Sequence, residues 1–282
     1  MSKVAIVTDS TSYIPENLVQ QYNIKVAPQV LIWGSETFQD GIDIMPEAFY
    51  QRLSKATVMP STSQISPVSV EHIFRSLLEE GYDVLGVFIS SKLSGTMDSA
   101  TKACEIINSD KIVILDSMTT AMALGFQALA AARAAAKGAS LAECQAAAER
   151  AREHSGVFVT VETLEFLHRG GRIGGGSRFL GTALNIKPVL EIVGGRLEAV
   201  ERVRTRTKAL NRLVELVAER TGGKKPLHLC AIHANSPADA QTVMDKACEV
   251  FNVVEKLVAP VSPVIGTHAG PGTIGLCYLM ED

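Results

Sequence analysis

The sequence predicts an α/β protein whose N-terminal part is a parallel, doubly wound, Rossmann-like sheet. Short apolar runs, typical of buried strands, alternate with helical patterns over this part of the chain. Three of the runs lead into a hydroxyl-rich loop and then a helix; they lie at 4–7, 84–89 and 112–115. Alternation of this kind indicates parallel strands joined by right-handed crossovers.

The C-terminal part follows a different pattern. Gly194-Gly195 separates two strand patterns and signals a β-hairpin, which needs antiparallel pairing. We therefore predict a second α/β domain with a mixed or antiparallel sheet. The predicted division is residues 1–160 for the parallel domain, which carries the hydroxyl-rich loops, and 161–282 for the second, which carries the hairpin and the His268 loop.

The elements of the N-terminal part are read from apolar periodicity and from turn residues. Strands are predicted at 4–7, 26–33, 84–89, 112–115 and 157–161. Helices are predicted at 15–22, 46–55, 68–79, 97–104 and 121–154, the last interrupted near Gly138. Pro28 indicates either that the strand in the run at 26–33 lies at a sheet edge or that Pro28 is its first residue. Residues 58–67 carry two prolines and a run of hydroxyls, so we predict a loop that is too polar for a core strand.

The C-terminal elements follow in the same way. Short or amphipathic helices are predicted at 162–168, 208–220 and 237–251, and strands at 186–191, 197–203, 227–233, 253–259 and 274–280. The basic, glycine-rich run at 169–177 lacks the G-K-[ST] of a phosphate loop, so we interpret it as a flexible surface turn at the domain junction. His268 is predicted to lie between a strand and a Gly-Pro-Gly turn.

Composition excludes several classes of function. The net charge of −3 and the aromatic content of 5% argue against nucleic acid or an anionic membrane as partner. The five cysteines form no C-x-x-C pair, which predicts reduced thiols in a cytoplasmic protein. The first residues run directly into a strand pattern, unlike a signal peptide. No histidine pair has metal-ligand spacing, so we expect no metal site.

The loop at 90–96 is the central candidate site. It joins a buried strand to a helix N-terminus, where unpaired N–H groups and the helix dipole favour an anion. Gly95 permits close approach of a ligand, and Ser94 and Thr96 add hydroxyls. The alternative is that Ser94 or Thr96 simply caps the helix.

Other polar loops are predicted to gather at the same edge, because ligands of doubly wound sheets lie at the carboxyl ends of the strands. Thr62, Ser94, the Gly95 N–H and His268 form a set of neutral donors, and Lys92 is the only cation in the central loop. Such a set suits a single carboxylate better than a polyphosphate. Thr62 in a generic turn and His268 in a structural role remain alternatives.

Two further classes of function stay open. Ser94 and His268 form a candidate nucleophile–base pair for an acyl hydrolase or transferase, because such pairs are recognised by geometry and not by spacing. A nucleotide-binding regulatory module is the other, although no G-x-G-x-x-G follows the first strand.

Taken together, six stretches resemble the DegV family, the fatty-acid-binding subunits of bacterial fatty acid kinase. They span the chain in order: Thr8-Asp9-Ser10-Thr11-Ser12; Pro60-Ser61-Thr62-Ser63-Gln64; Ser91-Lys92-Leu93-Ser94-Gly95-Thr96; Thr163-Leu164-Glu165-Phe166-Leu167 with Gly170-Gly171-Arg172-Ile173; Asn185-Ile186-Lys187-Pro188; and His268-Ala269-Gly270-Pro271-Gly272-Thr273. Each stretch is weak alone, and their shared order makes the resemblance specific.

The resemblance implies a long-chain fatty acid in a tunnel between two α/β domains, and no cofactor. Its carboxylate would be held by Thr62 and Ser94 with His268 nearby; the whole predicted ligand set is Thr62, Ser63, Ser94, Gly95, Thr96 and His268. The chain would be a lipid-binding subunit of phospholipid metabolism and not an enzyme by itself. A separate ATP-dependent kinase would phosphorylate the bound acid, with Arg172 and Arg202 as docking residues.

Three residues depart from the family pattern. Tyr13 stands where Asp is usual, and Ile65 where Pro is usual. Met97 stands where a larger aromatic residue is common, and we expect it to reshape the pocket near the carboxyl end.

Overall fold

The computed structural model describes residues 3–179, 186–223 and 227–281. Asn185, part of one family-like stretch, lies outside the described residues. The strands are β1 Lys3–Asp9, β2 Lys25–Ala27, β3 Val30–Trp33, β4 Glu36–Gln39, β5 Ser61–Ser63, β6 Tyr82–Phe88, β7 Ile112–Asp116, β8 Ser155–Thr160, β9 Lys187–Val193, β10 Arg196–Val203, β11 Leu227–His233, β12 Val253–Pro260 and β13 Ile274–Met280. The helices are α1 Glu16–Gln21, α2 Pro46–Leu53, α3 Pro67–Glu79, α4 Thr96–Ile107, α5 Ala121–Ala136, α6 Leu141–His154, α7 Glu165–Arg169, α8 Arg206–Thr221, α9 Pro237–Val250 and α10 Pro263–Ala269.

The first sheet has the strand order β2-β1-β6-β7, and every pairing in it is parallel. Its central strands are apolar on both faces, since Ile6 and Leu85 pack on one side and Val7 and Val84 on the other. Burial on both faces is what the continuous apolar runs in the sequence predicted. The parallel N-terminal sheet is confirmed.

The second sheet has the order β10-β9-β8-β13-β11-β12. All its pairings are antiparallel except that between β11 and β12, so the predicted mixed sheet is also confirmed. Gly194 and Gly195 form the predicted hairpin turn between β9 and β10, both with positive φ. Strand β8, which the predicted division assigned to the N-terminal domain, pairs in this second sheet; the division after residue 160 stays a prediction.

Helix α5 lies between the two sheets. Eleven of its 16 residues are buried, among them Met122 and Phe126, and it contacts β1, β6, β8 and β13. A helix that is apolar around its circumference is typical of such a buried position. Its many alanines let both sheets approach closely, so one apolar core joins residues of both sheets.

A third, three-stranded antiparallel sheet, β4-β3-β5, was not predicted. The apolar run at 26–33 divides around Pro28 into β2 and β3, which belong to different sheets. The hydroxyl-rich stretch predicted as a loop forms β5, with Thr62 opposite Leu31 of β3. The loop prediction was wrong because an edge strand buries little side-chain surface and therefore tolerates polar side chains on both faces.

Two C-terminal predictions also need correction. The glycine-rich run at 169–177 is not a flexible turn, since Gly174–Phe179 forms a short 3-10 helix that packs on β10 with Gly176 and Phe179 buried. His268 is on the last turn of α10 and not in a loop after a strand. Over the described ranges, no helix combines the length and apolarity needed to cross a bilayer.

Candidate functional site

A cavity lies between the first and second sheets and holds about 970 Å³ of space not filled by atoms, part of it open to solvent. Most of its wall is aliphatic. The aliphatic residues larger than alanine are Ile89, Leu93, Val157, Val159, Val161, Leu167, Ile192, Leu197, Ile232, Val261, Val264 and Ile265. A concave, mainly apolar site with a few polar groups is the usual form of a small-molecule site.

The polar part of the wall contains Thr62, Ser63, Ser94 and His268. Thr62 lies at the centre of β5, and the Thr62 Oγ1 atom is 2.7 Å from His268 Nε2. This contact joins the third sheet to α10 across 206 residues of chain. The structure therefore brings together two of the three residues that the resemblance placed at the carboxylate, Thr62 and His268.

Burial controls the charge of His268. Desolvation, followed by the nearby Arg172 guanidinium, lowers the pKa of His268 from 6.5 to about 4, so the imidazole is neutral at neutral pH. Its Nδ1 atom is buried and has no hydrogen-bond partner among the described residues. The ring packs against Gly170, where a methyl group would overlap the imidazole. Gly170 therefore sets the position of His268.

The Ser94 loop is held by a short network of hydroxyls. Ser94 Oγ accepts a hydrogen bond from the Thr96 N–H (3.3 Å) and lies 2.9 Å from Thr96 Oγ1. Gly95 is the N-cap of α4 and has no side chain to cap the helix. The N–H that Ser94 Oγ accepts belongs to Thr96, the first residue of α4, so capping by Ser94 remains an alternative to a ligand role. Ser94 lines the cavity, whereas Gly95 and the fully buried Thr96 are absent from its lining.

Gln29 connects the two polar loops, and sequence analysis did not assign it a role. Its side chain is 2% exposed; Nε2 donates to Thr96 Oγ1 (2.8 Å), and Oε1 accepts from the Ile65 N–H (3.3 Å). Because proline has no N–H, a proline at position 65 could not make this bond. The sequence offered one signal for this role, because Gln29 is an amide side chain inside the apolar run at 26–33.

Two buried carboxyl groups, Asp9 and Asp40, accept hydrogen bonds from the segments that form the cavity wall. Asp9 accepts from the Thr11 hydroxyl (2.6 Å) and from the N–H of Ile89 (2.8 Å), and both partners line the cavity. Asp40 accepts from the Ser10 hydroxyl (2.7 Å) and from the Val264 N–H (3.3 Å) in the first turn of α10. Burial raises the pKa of Asp9, and it raises the pKa of Asp40 to about 6.

The two residues predicted for docking lie in different places. Arg172 lines the cavity, and its guanidinium donates to the carbonyls of Leu93 (3.1 Å) and Gly170 (2.7 Å). Arg202 is on β10, with its guanidinium carbon 5.3 Å from the centroid of the Phe179 ring, and it is not part of the cavity wall. The structure therefore connects Arg172, but not Arg202, to the polar groups of the site.

One departure from the family pattern has a different consequence from the predicted one. Met97 packs in the core on the far side of the first sheet, with Phe74 and Phe88, and does not line the cavity. The prediction that Met97 reshapes the pocket is wrong. The first turn of α4 directs this side chain towards α3 instead.

The geometry does not assemble a nucleophile–base pair from Ser94 and His268. His268 Nε2 is hydrogen-bonded to Thr62 and Ser94 to Thr96, and no carboxylate among the described residues orients the imidazole at Nδ1. In the described part of the chain, no three His, Cys, Asp or Glu side chains gather as metal ligands. The arrangement instead offers neutral hydrogen-bonding groups at the end of an apolar cavity.

Solved structures of DegV proteins have the same fold as this chain. A DegV family protein from Thermus thermophilus, whose structure is described as showing fatty acid binding, superposes with a TM-score of 0.93 at 33% identity, over 99% of this chain and 100% of that one. DegV from Bacillus subtilis, described as a fatty acid binding protein, gives 0.89 at 31% identity over 100% of both chains.

Sequence comparison agrees. A DegV domain-containing protein of Streptomyces coelicolor is 36% identical over 275 residues, covering 97% of both chains. The family model described as "Uncharacterised protein, DegV family" matches residues 3–281. The chain therefore belongs to the DegV family.

Proposed function

We propose that this protein binds one long-chain fatty acid in the cavity, with its carboxylate against Thr62, Ser94 and His268. The observation that carries the proposal is an aliphatic cavity ending at the Thr62–His268 hydrogen bond. The fatty acid binding described for the Thermus and Bacillus relatives supports the same ligand class.

The aliphatic wall supplies most of the affinity in this proposal. Each buried methylene contributes about 0.8 kcal/mol, so a long acyl chain outweighs the polar contacts of its head group. The polar end then has to offset the desolvation of one carboxylate. Hydrogen bonds to a charged group contribute roughly 1.5–3 kcal/mol each, and a few of them suffice.

The neutral imidazole directs the Thr62 hydroxyl towards the ligand. With its proton on Nε2, His268 donates to Thr62 Oγ1, and the Thr62 hydroxyl is left to donate to the carboxylate. At Ser94 the equivalent arrangement has Thr96 accept from Gln29 and donate to Ser94, which frees the Ser94 hydroxyl. Both hydroxyls then act as donors, as a carboxylate requires.

Few charges face the proposed head-group site. Among the described residues that line the cavity, Arg172 alone carries a formal charge at neutral pH. Neutral donors hold a carboxylate in position without pairing it tightly with a cation. Such binding leaves the carboxylate oxygens available to react.

We propose further that the bound acid is presented to a separate ATP-dependent kinase, which converts it to an acyl phosphate for phospholipid synthesis. This step follows from the family resemblance and places the protein in the cytoplasm, where ATP is available. Arg172 and Arg202, both exposed on the C-terminal part, are the candidate docking residues.

Titration of lipid-free protein with palmitate tests the binding proposal. Thr62→Ala combined with Ser94→Ala should weaken binding by about a hundredfold or more, because two bonds to a charged group are lost. Thr101→Ala is a matched control, since its hydroxyl donates to the Met97 carbonyl on the exposed face of α4, away from the cavity. Unchanged palmitate affinity in the double variant would contradict the proposal.

A further inference from the structure

A second cleft, here called the distal cleft, borders the cavity away from its polar end. It holds about 730 Å³ of space, part of it open to solvent. Ile192 lines both the cavity and the distal cleft. Thr119 and Gly156 line the distal cleft, whereas the residues that follow them in the chain, Thr120 and Val157, line the cavity. The wall between the two compartments is therefore thin.

Strand β8 leads from the polar end of the cavity to the distal cleft. Its last residue pairs with Ile274 of β13. The residue before Ile274, Thr273, lines the cavity and donates to the Ala269 carbonyl (2.8 Å), one residue after His268. The C-terminal end of β8 therefore lies near the polar groups of the cavity, and its first residue, Ser155, lies at the distal cleft.

One face of β8 forms a continuous row along this path. Alternate residues of a strand share a face, and Val157, Val159 and Val161 all line the cavity. Ser155 continues the row and lines the distal cleft. From Val161 to Ser155 an extended strand spans about 20 Å, which is close to the length of an extended palmitoyl chain. An acyl chain that follows the valines therefore ends near Ser155.

Three buried polar atoms of the distal cleft have no hydrogen-bond partner among the described residues. They are Ser155 Oγ, Thr119 Oγ1 and Gln127 Oε1. Gln127 is fully buried, and Thr119 is 7% exposed. Gln127 Nε2 donates to the Ser117 carbonyl (3.1 Å), so the unpaired atom of its amide is the oxygen. Buried polar atoms are nearly always hydrogen-bonded, so three at one place indicate a site for a polar ligand group.

The chemistry of these atoms favours a neutral group. The guanidinium groups of the distal cleft are engaged, Arg220 with Glu191 (2.8 Å) and Arg152 with the Asp116 carbonyl (3.1 Å). Gln127 Oε1 accepts only, so its partner must donate a proton. A carboxylate has none to donate, whereas a hydroxyl both donates and accepts.

We propose that the distal cleft binds a hydroxyl group at the ω-end of the fatty acid, so that the protein accepts ω-hydroxy fatty acids. This inference rests on the proposed function and specifies the class of acid. The ω-hydroxyl donates to Gln127 Oε1, and the hydroxyls of Thr119 and Ser155 donate to its oxygen. Rotation of the Ile192 side chain joins the two compartments at their shared wall.

Calorimetric titration of delipidated protein tests this site. Myristate, palmitate and stearate are each compared with their ω-hydroxy derivative, so that the result does not depend on one chain length. In a purely apolar site the unpaired hydroxyl would weaken binding about tenfold or more at every length. We expect at least one ω-hydroxy acid to bind as tightly as its parent acid or more tightly, and the ω-carboxy acid of that length to bind more weakly than the ω-hydroxy acid.

Thr119→Val and Ser155→Ala remove two of the three proposed contacts. Each should reduce the affinity for the ω-hydroxy acid, relative to the parent acid, about two- to tenfold. Because neither hydroxyl has a partner among the described residues, thermal melting should show no loss of stability. Thr160→Val is the matched control: Thr160 Oγ1 is buried without a described partner in the same strand, but Thr160 lines neither compartment. It should leave the ratio unchanged.

The outcomes distinguish this inference from the proposed function. Parent acids that bind, with every ω-hydroxy acid weaker than its parent, would overturn the ω-hydroxyl site alone. So would a ratio that Thr119→Val and Ser155→Ala leave unchanged, or an ω-carboxy acid that binds more tightly than the ω-hydroxy acid. Failure of the wild type to bind any of these acids would overturn the proposed function, and the ω-hydroxyl site with it.

Discussion

His268 Nε2 lies 2.7 Å from Thr62 Oγ1, and this contact closes the polar end of the cavity. Neither residue is positioned by its own segment alone. Thr62 is held by pairing of β5 with β3, and His268 by the packing of α10 against β5 and α7. The site therefore depends on three parts of the chain that meet only in the folded protein.

Two replacements of Thr62 distinguish the contribution of its hydroxyl to palmitate binding from the contribution of its size. Thr62→Val removes the hydrogen-bond donor and keeps the shape, so we expect palmitate affinity to fall about tenfold. Thr62→Ser keeps the hydroxyl and should remain within a few-fold of wild type. Calorimetric titration measures both variants, and equal affinities for the two would show that the hydroxyl does not contact the ligand.

Acid should weaken the fold through His268. Its pKa is lowered on folding from 6.5 to about 4, so the folded state binds fewer protons than the unfolded state between these values. The contribution of neutral His268 is complete above about pH 6.5 and is lost as pH falls towards 4, on the order of 1–3 kcal/mol in total.

Denaturant unfolding of wild type and His268→Gln at several pH values measures this contribution. Comparison with the variant is needed because the raised pKa of Asp40 acts with the opposite sign: folding favours its protonated form, which stabilises the fold as pH falls. The stability difference between wild type and variant should decrease from pH 7 to pH 4. A difference that is constant with pH would contradict the assignment.

Loss of the Gln29 amide should loosen both polar loops. Gln29→Leu leaves the buried Thr96 hydroxyl and the Ile65 N–H without this partner, which costs about 1–3 kcal/mol of unfolding free energy. Gln20→Leu is the matched control, because the Gln20 amide bonds Glu16 on the exposed face of α1 and should change stability by about 0.5 kcal/mol or less. Equal effects in the two variants would exclude a special role for Gln29.

A methyl group at Gly170 should displace His268. Gly170 has φ −76°, an ordinary helical value, so Gly170→Ala adds no backbone strain and only the overlap with the imidazole. We expect a loss of about 1–3 kcal/mol of stability and weaker palmitate binding. His268→Ala removes the imidazole that the new methyl group would overlap. Gly170→Ala should therefore cost less stability in a His268→Ala background than in the wild type. An equal cost in the two backgrounds would contradict the contact.

The protein alone should not hydrolyse acyl esters through Ser94. His268 directs Nε2 to Thr62, and within the described ranges no carboxylate orients its ring, so it is not arranged to activate Ser94. Release of p-nitrophenol from p-nitrophenyl palmitate, compared between wild type and Ser94→Ala, measures this activity. Turnover that is lost in Ser94→Ala would favour the hydrolase instead.

Local pattern was sufficient to predict the two large sheets and the hairpin. Apolar runs such as Val84–Ile89 have a length and composition that only a buried strand accommodates easily, and the Gly194-Gly195 turn determines antiparallel pairing. Ser94 followed such a strand and was predicted to face a ligand edge. Ser94 lies in the cavity wall, and its contact with a ligand stays a prediction.

The parts that were missed depend on contacts distant in sequence. A strand at Ser61–Ser63 forms because β3 offers an unpaired edge, which its own residues do not signal. Gln29 acts through Thr96 and Ile65, 67 and 36 residues away, and no local pattern indicates such partners. The side chain of Met97 turns away from the cavity because of the direction of α4, which the neighbouring motif did not reveal.

Native and denaturing mass spectrometry of the protein purified from a bacterial host tests the central claim most directly. We predict a mass excess in the native spectrum that is released on denaturation as a long-chain fatty acid, and that is reduced in the Thr62→Ala, Ser94→Ala variant. A native mass equal to that of the chain alone, unchanged after addition of palmitate or oleate, would contradict the account.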